Sequence, residues 1–197
     1  MAQPTLDSSR FFTAACNFEG SLILVAALLG WMADINPFAD LYFSEPALFY
    51  GVIGTIPLFL MFYAVEQLEH PSIRKIRNLL LDTLGPGLKT CRSSDLFLLA
   101  AIAGFSEELL FRGLLQPWIE ASWGTAIGLI GSNIIFGLVH AVTPLYAFLA
   151  TLIGIYLGLA MDYGGDRNLM TPMIIHGLYD FLAFLMIMRS YRRANSS

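Results

Sequence analysis

Six stretches of mostly apolar residues, each close to the length that crosses a bilayer, leave this chain little choice of fold. They are Phe11–Ala33, Ala47–Val65, Leu96–Ile119, Trp123–Val142, Ala147–Tyr163 and about Leu169–Met188. A membrane-spanning helix needs roughly 20 such residues, because the hydrocarbon core is about 30 Å thick. Only 13% of the 197 residues are charged, against 56% hydrophobic, too few charges to clothe a water-facing surface, where about a quarter is usual. The expected architecture is therefore all-α: a polytopic helical bundle of about six transmembrane helices in one membrane-embedded domain over 1–197. The first stretch is too long for the core of a signal peptide and lacks a small-residue cleavage site, so it is read as retained. A net charge of −4 lacks the basic stripe that nucleic acid would require. Cys16 and Cys91 lie far apart without CxxC spacing, and suggest neither a disulfide framework nor a zinc cluster.

Loop charges orient such a bundle. Arg10, then Arg74, Lys75, Arg77, Lys89 and Arg92, then Arg189, Arg192 and Arg193 fall on one side if six helices alternate. Asp34, Asp40, Glu45, Glu120, Asp162 and Asp166 occupy the other side, with Arg167. The positive-inside rule then puts both termini in the cytoplasm. In the long second loop, HPSIRKIRNLLLDTL sets Ile73, Ile76, Leu79 and Leu80 on one helical face, which predicts a helix lying on the cytoplasmic interface. The Gly-Pro-Gly at Gly85–Gly87 is expected to end it. GIYLG at Gly154–Gly158 suits close helix packing in lipid.

Against this background, GFSEELLFRGLL at Gly104–Leu115 places three charges inside an apolar segment. An ionisable side chain at the bilayer centre costs roughly 2.5–3.5 kcal/mol on insertion scales, and such residues are kept where they face a cavity and pair. Glu108 and Arg112 stand at i,i+4, where carboxylate and guanidinium meet on one helix face. Glu107 points about 100° away and lacks a local partner. Two further spans carry polar residues at the same spacing: Phe136 with His140, and His176 with Asp180. A carboxylate and two imidazoles converging in a low-dielectric hollow could activate water and hold a developing oxyanion. Glu19, in the first span, is expected near the membrane interface.

Those residues, in that order, resemble the CPBP family of intramembrane proteases, which includes the CAAX prenyl endopeptidases and bacterial Abi-type proteins. Its EExxxR motif corresponds to Glu107, Glu108 and Arg112, its FxxxH motif to Phe136 and His140, and its HxxxN or HxxxD motif to His176 and Asp180. The motif-bearing core would be about 95–190. The resemblance implies a glutamate-dependent endopeptidase. In it Glu107 activates water with help from His140, while His176 and position 180 form an oxyanion hole. Glu108, Arg112 and Phe136 would support the site. Position 180 departs from the eukaryotic Asn, and an ionised Asp180 would repel an oxyanion. Either it carries a proton or it accepts a hydrogen bond from His176, and the second is the expected role. No cofactor is expected; the alternative is zinc held by Glu107, His140 and His176, although HExxH is absent. The GxSG of rhomboid-like proteases and the ordered YD and GxGD of aspartyl types are absent as well.

The implied partner is a membrane-tethered protein or peptide cut near its C-terminal end. The short chain and compact loops resemble bacterial members, which places it in a bacterial inner membrane. The competing reading is a non-catalytic membrane protein that uses the polar cluster for partner binding or peptide-toxin immunity. Simple alternation puts His140 near the cytoplasmic end of its span and His176 in the outer half of its own. For the two to meet, the fourth helix is expected to extend beyond Val142, or the sixth to start earlier.

Overall fold

The computed structural model describes residues 8–195, and the expectation for the extreme termini lies outside the described residues. Among the described residues every regular element is helical: α1 (Ser8–Ala33), α2 (Glu45–Glu66), α3 (Pro71–Leu88), α4 (Ser93–Leu110), α5 (Gln116–Trp123), α6 (Thr125–Val139), α7 (Pro144–Met161) and α8 (Met170–Ala194). The chain is a polytopic helical membrane bundle, as its apolar stretches predict. Helices α1, α2, α7 and α8 are each long and apolar enough to cross a membrane, and α6 is a shorter apolar helix. The third expected span is one continuous rod, α4 and α5 joined by a π turn at Phe111–Leu115.

Local chemistry sets where the helices begin. Ser44 and Thr143 accept hydrogen bonds from the Ala47 and Tyr146 amides, at 3.3 and 3.1 Å. His70 does the same for Ser72 through Nδ1. Each cap precedes a proline in the first turn, where its missing N–H costs nothing. At α4 the Asp95 carboxylate accepts from the Arg92 amide at 2.7 Å.

Helix α3 does not stop at the Gly-Pro-Gly as expected but runs through it to Leu88. Proline falls in the last turn, and the flanking glycines are packing surfaces. A Cβ on Gly85 would meet the Tyr191 ring and one on Gly87 the Phe11 ring, so α8 and α1 close over this end. Around it Leu88, Cys91, Leu96, Leu99 and Met188 form an apolar cluster that Phe11, Cys16 and Tyr191 extend. Cys16 and Cys91 both belong to it as free thiols.

Two contacts place α8 against α4. Leu169 donates its amide to the Asp40 carbonyl at 2.9 Å, holding the start of α8 under the α1–α2 connection. About two turns further, Gly104 and Gly177 touch backbone to backbone. A Cβ on Gly104 would lie 2.6 Å from the Gly177 nitrogen. Only glycine permits that approach, and it brings the residues just beyond it, Glu108 and His176, within reach.

Candidate active site

The site forms where α4, α6, α7 and α8 meet, and it is built around Arg112. This guanidinium is fully buried. Its Nη1 donates to Glu108 Oε1 at 2.8 Å, and its Nη2 donates to Asn133 Oδ1 and to the Gly154 carbonyl, both at 2.7 Å. Its carbon lies 4.7 Å above the centre of the Phe136 ring, a cation–π contact. The π turn carries Arg112, and insertions of this kind in α-helices recur at functional sites. Gly154 is required at its position because a Cβ would stand 2.4 Å from Asn133 Oδ1 and 3.0 Å from Arg112 Nη2. The GIYLG stretch therefore admits a buried charge network as well as a neighbouring helix.

Glu108 does more than neutralise Arg112. Its Oε1 also receives His176 Nδ1 at 2.8 Å, and the other imidazole nitrogen, Nε2, lies 3.5 Å from Asp180 Oδ2. The Glu108 contact fixes the plane of the His176 ring, and Asp180 sits at the nitrogen that an oxyanion would need. Two carboxylates facing the two nitrogens suit a ring with a proton on each.

Glu107 points away from this chain of contacts. Its carboxylate is 8% exposed, and Oε2 lies 3.3 Å from His140 Nε2. His140 Nδ1 lies 2.8 Å from the Phe136 carbonyl. A carbonyl only accepts, so Nδ1 carries a proton, and Nε2 stands at ion-pair distance from the Glu107 carboxylate. Phe136 ties the parts together, with its ring 4.3 Å from His140, 6.1 Å from His176 and 5.0 Å from Phe111, centre to centre. The structure thus brings Glu107 to His140, and Glu108 to Arg112 and His176, with Phe136 and Asp180 alongside.

The two histidines meet for a reason opposite to the one expected. Helix α6 does not extend beyond Val142. It stops at Val139, and α8 starts no earlier than Met170. Fifteen residues rise only about 22 Å, less than the roughly 30 Å of a hydrocarbon core, and His140 caps α6 beside Glu107.

These side chains close one end of a chamber of about 210 Å³. Its walls are otherwise apolar: Leu58, Met61 and Phe62 from α2, Leu149 and Ile153 from α7, and Ala183 and Phe184 from α8. Ile73, Ile76 and Leu80 of α3 also line it. The apolar face of the expected interfacial helix is therefore spent on the chamber. At the chamber's edge Arg77 Nε donates to Glu66 Oε2 at 3.0 Å, and its Nη2 donates to the Glu66 carbonyl.

Two residues near the site escaped the sequence reading, and a third was read without a role in it. Asn133 stands one turn before Phe136 in α6, a buried amide in an apolar helix, and that was the available signal. Tyr146 lines the chamber from the first turn of α7. Glu19, expected near the membrane interface, has a second set of neighbours. It is half-buried in α1, with Oε2 shielded from solvent and within electrostatic reach of Glu107, Asp180 and both histidines. Among the described residues no three His, Cys, Asp or Glu side chains form a group that could hold a metal ion. His176 faces Glu108 through Nδ1 and Asp180 through Nε2.

A helical membrane bundle that buries carboxylates and imidazoles at the end of an apolar chamber has the make-up of a membrane-embedded hydrolase. Residues 92–182 match the family model described as Rce1-like, type II CAAX prenyl endopeptidase, and this stretch holds all three motifs. By that match residues 92–182 are similar to the CAAX-type proteases of the CPBP family. The likeness points to a peptidase that works in a membrane on a membrane-associated protein or peptide. No curated protein and no solved structure matches the chain.

Proposed function

We propose that the chain is a metal-independent intramembrane endopeptidase that cuts a membrane-tethered protein or peptide near its C-terminal end. The observation that carries this reading is the Glu107 carboxylate set 3.3 Å from His140 Nε2 at the polar end of an apolar chamber. His140 Nε2 holds one oxygen of the Glu107 carboxylate in place. A water beside that carboxylate donates a hydrogen to it and turns its oxygen toward a peptide carbonyl.

As the water oxygen bonds to the carbonyl carbon, its proton passes to Glu107. The carbonyl π electrons move onto oxygen, and the His176 Nε2–H stabilises that charge. Collapse of the tetrahedral intermediate breaks the C–N bond, and the proton held on Glu107 goes to the leaving amine. Asp180 keeps the Nε2–H in place between turnovers and yields it to the oxyanion. Glu108, Arg112 and Asn133 act through His176 by fixing its ring. The chamber accepts a segment with apolar side chains and excludes bulk water, which strengthens each of these contacts.

The protein would act as a single domain in a bacterial inner membrane with both termini cytoplasmic, the side on which the positive loops lie. The test is cleavage of a co-expressed, C-terminally tagged membrane substrate by the wild type and by Glu107→Gln. Loss of cleavage at unchanged expression supports the enzyme. Full retention of function by Glu107→Gln would overturn it in favour of a partner-binding role.

A further inference from the structure

We propose that the cleft between the start of α4 and the last turns of α8 binds the headgroup of an anionic glycerophospholipid. The cleft measures about 280 Å³ and lies away from the chamber. Its mouth is made by Arg189, Arg192 and Arg193, and its inner wall by Leu96, Leu185 and Met188.

On α8 the residues at 185, 188, 189, 192 and 193 follow the helical repeat and share one face. That face is apolar toward the membrane interior and cationic toward its end, the order in which a lipid presents acyl chain and phosphate. Leu96 and Met188 are each 2% exposed, so the wall is a firm surface. Arg192 Nη2 donates to the Cys91 carbonyl at 3.2 Å and the Lys89 carbonyl at 3.5 Å, which holds its guanidinium at the mouth before any ligand arrives.

Arg189 and Arg193 are like charges at i,i+4, and no carboxylate lines the cleft among the described residues. A phosphodiester offers these two side chains charged oxygens suited to guanidinium donors. Phosphate oxygens are common to lipid headgroups and free phosphate. The apolar wall running inward selects the lipid, as in other basic pockets on the positive side of membrane proteins. This inference needs only the membrane fold, and it stands whether or not Glu107 activates water.

The test uses the full chain, delipidated in a neutral detergent, with native mass spectrometry as the readout. Phosphatidylglycerol is expected to bind saturably and to survive activation that strips phosphatidylcholine. Arg189→Gln with Arg193→Gln should weaken it about thirtyfold, from two surface charges near a membrane. Arg189→Lys with Arg193→Lys should recover most of the loss, which separates charge from folding. Arg74→Gln with Lys75→Gln on α3 should leave binding unchanged. Equal retention of both lipids, or no change in the glutamine pair, overturns the proposal. Displacement of the lipid by an equal concentration of inorganic phosphate also overturns it, because the site would then read phosphate alone.

Discussion

Glu107 and His140 lie 3.3 Å apart because they stand almost equally far from one turn. Glu107 is seventeen residues before Gly124 and His140 sixteen after it. The rod of α4, π turn and α5 rises to Trp123, the chain reverses at Gly124, where φ is +83°, and α6 returns alongside. Equal lengths on the two limbs return His140 to the height at which Glu107 left. Helix α6 reaches no further because its C-cap is the residue the site uses.

If His140 acts by holding the Glu107 carboxylate, their losses overlap. Glu107→Gln and His140→Ala should each lower kcat by about 10²–10⁴-fold. The double variant should be no slower than the worse single one, since residues acting as a unit are not additive. Single-turnover cleavage in detergent measures this, and independent, multiplying effects would contradict their action as one unit.

Asn133 is expected to matter although it touches no substrate. Asn133→Leu leaves the buried Arg112 short of an acceptor and should cost about 1–3 kcal/mol of stability. Its effect on kcat should largely vanish in an Arg112→Met background, because it acts through that guanidinium. Thermal unfolding and a double-mutant cycle give both values.

Gly104→Val would push a side chain into the Gly177 backbone. The expected cost is about 1–3 kcal/mol, with the Glu108–His176 contact opened and activity lost. Gly104→Ala should show the same signs at smaller size. Unfolding temperature and cleavage, measured on the same preparations, report the two effects.

On the face away from the chamber, Arg167 bridges Glu120, at 2.7 and 3.2 Å, and Asp162, at 3.0 and 3.2 Å. Burial alone would raise the Glu120 carboxyl, but hydrogen bonds from Arg167 and Gln116, with the Arg167 charge, hold it below its usual 4.5. The folded carboxyl is thus the stronger acid, so this stabilisation is complete above about pH 4.5 and is lost as pH falls through the lower folded value. The unfolding temperature should drop in that acidic range, and Glu120→Gln should remove part of the drop. Because the pair is partly exposed, the effect should be small and weaker in high salt.

Cleavage should survive exhaustive chelation, with no recovery step on adding zinc, if Glu107 and His140 activate water unaided. Loss of activity restored stoichiometrically by zinc would support a metal held by Glu107, His140 and His176 instead.

Much of this protein was legible along the chain. Apolar length determined the helical membrane bundle, since a backbone in lipid must satisfy its own hydrogen bonds. The i,i+4 spacing determined that Glu108 meets Arg112 and that Phe136 stacks on His140, because 3.6 residues per turn leave those pairs no other placement. Spacing within one helix says nothing about its neighbours. Which carboxylate faces which imidazole was decided by the Gly104–Gly177 contact and by the equal limbs about Gly124, both properties of packed pairs. The same holds for Asn133, an unremarkable amide until α7 brings Gly154 against it, and for α3, whose apolar face reads as a lipid anchor until α2 and α8 enclose a chamber above it. Local periodicity acts over a few residues, whereas the depth and facing of buried charges depend on where separate helices cross.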